Sequence, residues 1–302
     1  MRPRQFVMLI VLAAIWGASY LFIRVASPVL GPFPLMELRT VIAGLVLWIY
    51  ASAIGKRPEL RANWRRFLAL GALNGALPFA LIAAAELYLP ASLAAILNAT
   101  TPLFTALVAA GYGVEQLTRR RMLGMAIGFG GVAILVGWSP IPFTGHVAFG
   151  VVTSLLGALC YGLGGTYASR TFKDVPPLTM ATAQQLGAAA ALLPFALAAI
   201  PEARVSGEAV ANMLALSLLC TVVAYLIYYP LLKSVGPTRT LSVTFLIPVF
   251  GLLWGALFLH EKIGPGTFVG LLVILSSVTL VTGVRLGKRA AKMKPAAEAP
   301  AL

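Results

Sequence analysis

Ten stretches of this chain are apolar, nearly uncharged and each about twenty residues long, the length of helix that crosses a bilayer core of roughly 30 Å. They fall near 6–26, 34–54, 65–86, 91–112, 122–138, 147–168, 177–199, 209–231, 238–259 and 266–284. Lipid offers no hydrogen bonds to a bare backbone, so a spanning segment closes its own as a helix or pairs in a barrel. Ala, Leu, Gly and Val dominate the runs without the strict alternation of a barrel strand. Composition agrees: 60% of residues are hydrophobic and 11% charged, with mean hydropathy +0.91. A soluble domain carries about 25% charged residues. The expectation is an all-α integral membrane protein with ten transmembrane helices.

In a soluble protein the net charge of +14 would point to nucleic acid. Here the basic residues sit in short breaks between apolar runs, where they orient the chain, and no nucleic-acid partner is expected. Assigning the breaks alternately to two sides puts nineteen of the 23 Lys and Arg on one side. Arg24, Arg39, Arg204 and Lys262 remain on the other. This bias supports ten spans and places both termini in the cytoplasm of a multi-pass plasma (inner) membrane protein. Residues 1–5 form a short cytoplasmic N-terminus, and the N-terminal apolar run is too long for a usual signal peptide, so it reads as a retained span. Residues 285–302 form a basic cytoplasmic tail that ends in low-complexity sequence. Cys160 and Cys220 lie inside apolar runs and read as small fillers rather than a disulfide or a metal site.

A pattern is written twice. "TPLFTALVAAGYGVEQLTRRRMLG" holds Pro102, Glu115 and Gly124; "IPVFGLLWGALFLHEKIGPGTFVG" holds Pro248, Glu261 and Gly270 at the same spacings. One offset of 146 residues superposes these and also Phe104 on Phe250, Gly137 on Gly283 and Arg24 on Arg170. The chain therefore reads as two copies of a five-helix unit, at 6–138 and 147–284, with 139–146 as an external linker. Five is odd, so the second copy enters from the opposite face. Glu115 is followed by basic "QLTRRR", whereas Glu261 is followed by "KIGPG". Inverted repeats are the architecture of alternating-access transporters, whose substrate site lies between the repeats.

Ten spans, two five-span repeats and a fourth span of the form Pro…Glu…Gly resemble the drug/metabolite transporter superfamily, in particular its EamA-type permeases. The resemblance covers about residues 5–285 and is clearest in "ATTPLFTALVAAGYGVEQLTRRRMLGMAIGFGGVAILVG" and "LIPVFGLLWGALFLHEKIGPGTFVGLLVILSSVTLVTG". Within that superfamily the chain is most similar to amino acid exporters, including the YddG type. The resemblance implies secondary transport, and it alone supplies the direction, export.

Charged residues at mid-membrane usually work, and none is expected near the centre of any span. The multidrug branch of the superfamily carries a glutamate in its first span, where this chain has Trp16, Ser19 and Tyr20. The buried Lys and Arg of the sugar-phosphate branch are also missing. The substrate site is therefore assigned to neutral and aromatic groups: Trp16, Tyr20, Asn74, Phe79, Asn98, Thr101, Tyr161, Tyr225, Tyr228 and Thr244. These put the site between the first, third, fourth, sixth, eighth and ninth spans. Gln184, Gln185 and Thr221 are further polar groups of the second repeat. Pro102 and Pro248 each free a carbonyl one turn upstream and are assigned with Glu115 and Glu261 to gating and structure. Each of these glutamates reads as a loop anchor that accepts backbone or Arg hydrogen bonds. Glu37 is expected to pair with Arg39 or Arg24. Gly-x-x-x-Gly pairs such as Gly71/Gly75 and Gly266/Gly270 read as sites of close helix packing.

His260-Glu261 lacks the second histidine of a zinc helix, and no nucleotide-binding motif is present, so no metal, cofactor or direct ATP use is expected. An intramembrane enzyme would need a nucleophile beside a base; His146 and His260 lie at span ends, and neither cysteine has a histidine nearby. The reading is a secondary transporter of small metabolites, a broad exporter of amino acids, neutral and aromatic ones included. The alternatives are a multidrug, purine or sugar permease of the same superfamily, or a lipid flippase. Its partners are the bilayer and a small-molecule substrate, amino acids foremost; the oligomeric state stays open, a monomer included.

Overall fold

The computed structural model describes residues 2–56, 58–61, 63–113, 115–199, 205–240 and 242–283. The basic tail expected at 285–302 lies outside the described residues, as do Met1, Arg57 and Arg204. Among the described residues there is no strand. Nine helices of the described residues are long and apolar enough to cross a membrane: α1 (Pro3–Leu30), α2 (Pro32–Ala53), α3 (Trp64–Ala85), α4 (Ala91–Gly111), α5 (Arg119–Gly137), α6 (Gly145–Thr171), α7 (Pro177–Ala199), α8 (Gly207–Val235) and, after the shorter apolar α9 (Val243–Phe258), α10 (Pro265–Thr282).

Local chemistry sets the boundaries. Between α1 and α2 the chain turns at Gly31, whose φ of 82° is open to glycine, and Pro32 starts the next helix with a preset φ. Thr118, Thr144 and Ser206 cap α5, α6 and α8 by accepting from the N–H three residues on, at 3.3, 3.3 and 3.1 Å. The ninth span differs from its expected 238–259: a short helix, Pro237–Thr240, precedes α9, which starts at Val243. The Thr240 hydroxyl donates to the Gly236 carbonyl at 2.8 Å across that short helix.

The most extensive contacts join a helix of the first five to one of the last five: α5 with α10, α2 with α7, α1 with α9, α3 with α6 and α7, and α4 with α6 and α9. Without a hydrophobic force between helices in lipid, small residues and close approach hold such pairs. A Cβ on Gly71 would stand 2.3 Å from the Ala188 nitrogen, and one on Gly187 2.5 Å from the Phe67 carbonyl oxygen, so α3 and α7 cross backbone to backbone. Gly266 and Gly270 of α10 meet Trp138 at the end of α5 and Leu135 within it in the same way. The loop glutamates tie ends together. Glu261 accepts from the N–H groups of Ala91 and Ser92 at 2.7 and 3.0 Å, an anion at the first turn of α4. Glu115 pairs with Arg121 at 2.7 Å.

Candidate functional site

Three interruptions of regular helix sit near mid-span. Residues Ala72–Ala76 of α3 and Ala215–Val223 of α8 are π-helical. In α4, helix stops at Asn98 and restarts at Thr101. Such interruptions widen the helix, re-aim side chains and are frequent at functional sites. All three face one central cavity of about 230 Å³. Its walls come from both halves: Trp16, Ser19, Tyr20 and Ile23 of α1, Arg39 of α2, Asn74, Phe79 and Ile82 of α3, and Asn98 of α4. Opposite them stand Tyr161 of α6, Gln184 and Gln185 of α7, Cys220, Thr221 and Tyr225 of α8, and Ile247 of α9.

Amides and phenols link across the cavity. Asn98 donates to the Tyr20 hydroxyl at 2.7 Å, and Thr101 donates to the Asn98 carbonyl at 2.7 Å, closing the break in α4. Asn74 donates to the Gln184 side chain at 2.8 Å; the Gln184 amide donates to the Asn74 carbonyl and to the Tyr225 hydroxyl, both at 3.2 Å. Phe79 and Tyr161 meet edge to face with centroids 6.4 Å apart. Gln185 is wholly buried, and both polar atoms of its amide lack a hydrogen-bond partner among the described residues.

The cavity is not free of charge, which corrects the expectation from sequence. Arg39 is only 6% exposed and lines it. Its Nε donates to the Thr221 hydroxyl at 3.1 Å, and its guanidinium lies 4.0 Å from the centroid of the Phe79 ring. It does not pair with Glu37. Arg24 also turns away from Glu37 and bonds the backbone carbonyl of Glu86. Counted from the start of α2, Arg39 looks like an end-of-span residue; the cavity reaches it because α2 lies along α7 and presents that turn inward. A signal was available: the 146-residue offset lands Arg39 on Gln185, the buried amide of the same cavity.

Of the expected site residues, Trp16, Tyr20, Asn74, Phe79, Asn98, Tyr161 and Tyr225 come together here. Tyr228 stands behind Trp16, with ring centroids 5.5 Å apart. Thr101 and Thr244 line a second cavity of about 360 Å³ with Pro102, Glu115 and Arg121. Pro248 is buried within α9 and lines neither cavity. The second and seventh spans, absent from the expected lining, contribute the guanidinium and both glutamines.

A profile of the EamA-like transporter family matches residues 4–137 and again 148–283. Over 305 residues the chain is 30% identical to an uncharacterized inner membrane transporter, YedA, of Escherichia coli (strain K12), covering 98% of this chain and 96% of that one. It is 26% identical to the uncharacterized transporter YvbV of Bacillus subtilis, over 96% and 95% of the two chains. It is 25% identical to the protein PecM of Dickeya dadantii, over 93% of each. One crystal structure of a protein superposes with TM-score 0.65 over 93% of this chain and 97% of its own, at 19% identity, a likeness of fold alone. With the family profile matched across both halves of a ten-helix apolar bundle, this chain belongs to the EamA-like transporter family and is a multi-pass membrane transporter of small molecules.

Proposed function

We propose that this protein exports small metabolites that carry a carboxylate, amino acids among them, across the inner membrane by alternating access. The observation that carries the reading is the central cavity, walled by aromatic rings, amides and one guanidinium drawn from both halves of the chain. Its volume of about 230 Å³ lies below the roughly 300–1,000 Å³ of pockets for drug-sized ligands. That size suits a metabolite of amino acid dimensions and disfavours the multidrug alternative. The walls offer broad aromatic surfaces and few directional groups for a substrate side chain, which favours loose selection.

In this reading residues 6–138 and 147–284 are two inverted five-helix repeats joined by the 139–146 linker, and the site lies on their pseudo-twofold axis. Support comes from cavity residues separated by the same 146 positions: Phe79 with Tyr225, Asn74 with Cys220, Arg39 with Gln185. The two π-helical segments correspond in the same way. The second cavity, beside Glu115 and Arg121, then serves as a vestibule on the cytoplasmic side, with Thr101, Pro102 and Thr244 on the route to the centre. The export direction follows the resemblance to amino acid exporters, and the inner-membrane location follows the relative in E. coli. No carboxylate lines the central cavity, so flux is expected without a pH gradient.

Counterflow in proteoliposomes with labelled amino acids, purines, sugars and lipophilic cations tests the function. Amino acid exchange that persists without a pH gradient is the expected result. Accumulation of lipophilic cations or sugar phosphates with no amino acid signal overturns it.

A further inference from the structure

The charge balance of the central cavity narrows the substrate class beyond the proposed function. Arginine keeps its proton in proteins. Arg39 is therefore a fixed positive charge inside the bundle. Among the described residues the one ion pair within 4.0 Å is Arg121–Glu115, so no carboxylate touches Arg39; the buried Glu86, beyond contact distance and nearer in influence to Arg24, is the acidic group that acts on it from outside the cavity lining. Its recorded contacts are a hydroxyl on Nε, the Phe79 face, and the thioether of Met36 at 3.9 Å from a terminal nitrogen. The planar fork of terminal nitrogens, which matches a carboxylate edge on, has no oxygen acceptor among the described residues.

The neighbouring phenols point the same way. The Tyr20 hydroxyl accepts from Asn98, and the Tyr225 hydroxyl accepts from Gln184. A phenol that accepts still has its own proton to donate. The guanidinium and the Tyr20 hydroxyl thus offer donors to one small space, which the Gln185 amide beside Tyr225 also lines, and none of the residues lining it is acidic. Phe79 and Tyr161, set edge to face, provide an aromatic corner beside the cation.

We infer that Arg39 anchors the carboxylate of the transported molecule and that the cavity selects small monocarboxylates of net charge −1 over zwitterions of the same shape. An ammonium group enters a cavity that already holds a positive charge and finds no anion, so it weakens binding. An amino acid binds through its carboxylate, and the same skeleton with a keto, hydroxy or hydrogen substituent in place of the amine binds better. Thr221 is the positioning residue that holds the guanidinium over Phe79.

The test is a matched set with one benzyl body: 3-phenylpropionate, phenylpyruvate, phenylalanine, phenylalaninamide and phenethylamine. Binding is read in detergent by tryptophan fluorescence of the full chain, and flux by counterflow in liposomes. In the wild type the two acids bind at least tenfold tighter than phenylalanine, and the amide and amine do not compete. In Arg39→Gln the gap between acid and amide closes to within twofold, in protein that is monodisperse and melts cooperatively. Thr221→Val keeps the charge and loses its tether; the acid preference falls severalfold but persists. Equal binding of phenylpropionate and phenylalaninamide by the wild type overturns the inference without any variant, as does an acid preference that survives in folded Arg39→Gln. Inorganic phosphate competing as well as phenylpropionate overturns the carboxylate assignment. The inference rests on the transporter reading only through the flux assay. Acid binding without counterflow removes the transporter and leaves the anchor, whereas counterflow with no acid preference does the reverse.

Discussion

Glu86 stands one residue beyond α3, wholly buried, and neither carboxylate oxygen has a hydrogen-bond partner among the described residues. Burial holds its carboxyl well above the ordinary carboxylate range, against the opposing pull of Arg24. The sign follows from linkage. Below about pH 4.3 both the folded and unfolded forms are protonated. As pH rises from there the unfolded chain gives up its proton and the folded one does not, so stability falls until the raised native value is passed. Melting in detergent is expected to become less favourable with rising pH over that window, and Glu86→Gln, neutral throughout, should flatten this part of the profile. Glu261 has the opposite character, with two backbone N–H groups on its carboxylate. Glu261→Ala leaves both donors unmet, at about 1–3 kcal/mol each when buried, and should lower the melting temperature measurably. The anchoring geometry of both loop glutamates was readable from the Pro–Glu–Gly pattern. The role of Arg39 was not, because sequence position along a helix says how deep a residue sits and nothing about which neighbour it turns toward.

At the scale of elements, close helix crossings divide the glycines into two kinds. Gly71 has the Ala188 nitrogen where its Cβ would go, whereas Gly130 of α5 has no atom within 4 Å of that position. Gly71→Ala forces α3 and α7 apart and should cost about 1–3 kcal/mol, the usual range for overpacking. Gly130→Ala fills open space within a helix and should be neutral or stabilising by up to about 1 kcal/mol. Thermal melting of the purified pair in one detergent checks both. The Gly-x-x-x-Gly spacing announced such contacts in the sequence but not their partners, which depend on how the two halves interleave. Of the two π-helical segments the first had a local signal, Pro78, which has no N–H for the Asn74 carbonyl and leaves it to accept from Gln184; the second had none. Neither "ALNGA" nor "ALSLLCTVV" carries a residue that forbids α-helix, and the extra residue per turn is settled by tertiary packing.

Across the whole molecule the apolar runs were the most legible feature, since the length of a spanning helix is set by the bilayer rather than by side-chain detail. Orientation is the testable remainder. Phe143 projects from the loop before α6, 68% exposed, and is not the residue that caps that helix, which is Thr144. If the termini lie in the cytoplasm, Phe143→Cys should react with an impermeant maleimide on intact cells well beyond the wild-type background. Reaction only after the membrane is opened would invert the assignment. The guanidinium at the centre of the bundle has no carboxylate in contact with it among the described residues. If the protein exports an anion by alternating access, as proposed above, the loaded site is electrically neutral and a membrane voltage exerts no force on it. Empty, it carries one positive charge, and an inside-negative potential draws it to face the cytoplasm, where it loads again. Each turn then moves one negative charge outward, a step worth about 2.3 kcal/mol per 100 mV. The voltage alone then sustains a concentration gradient of roughly fiftyfold at 100 mV, and each turn draws on that voltage rather than on a co-transported ion.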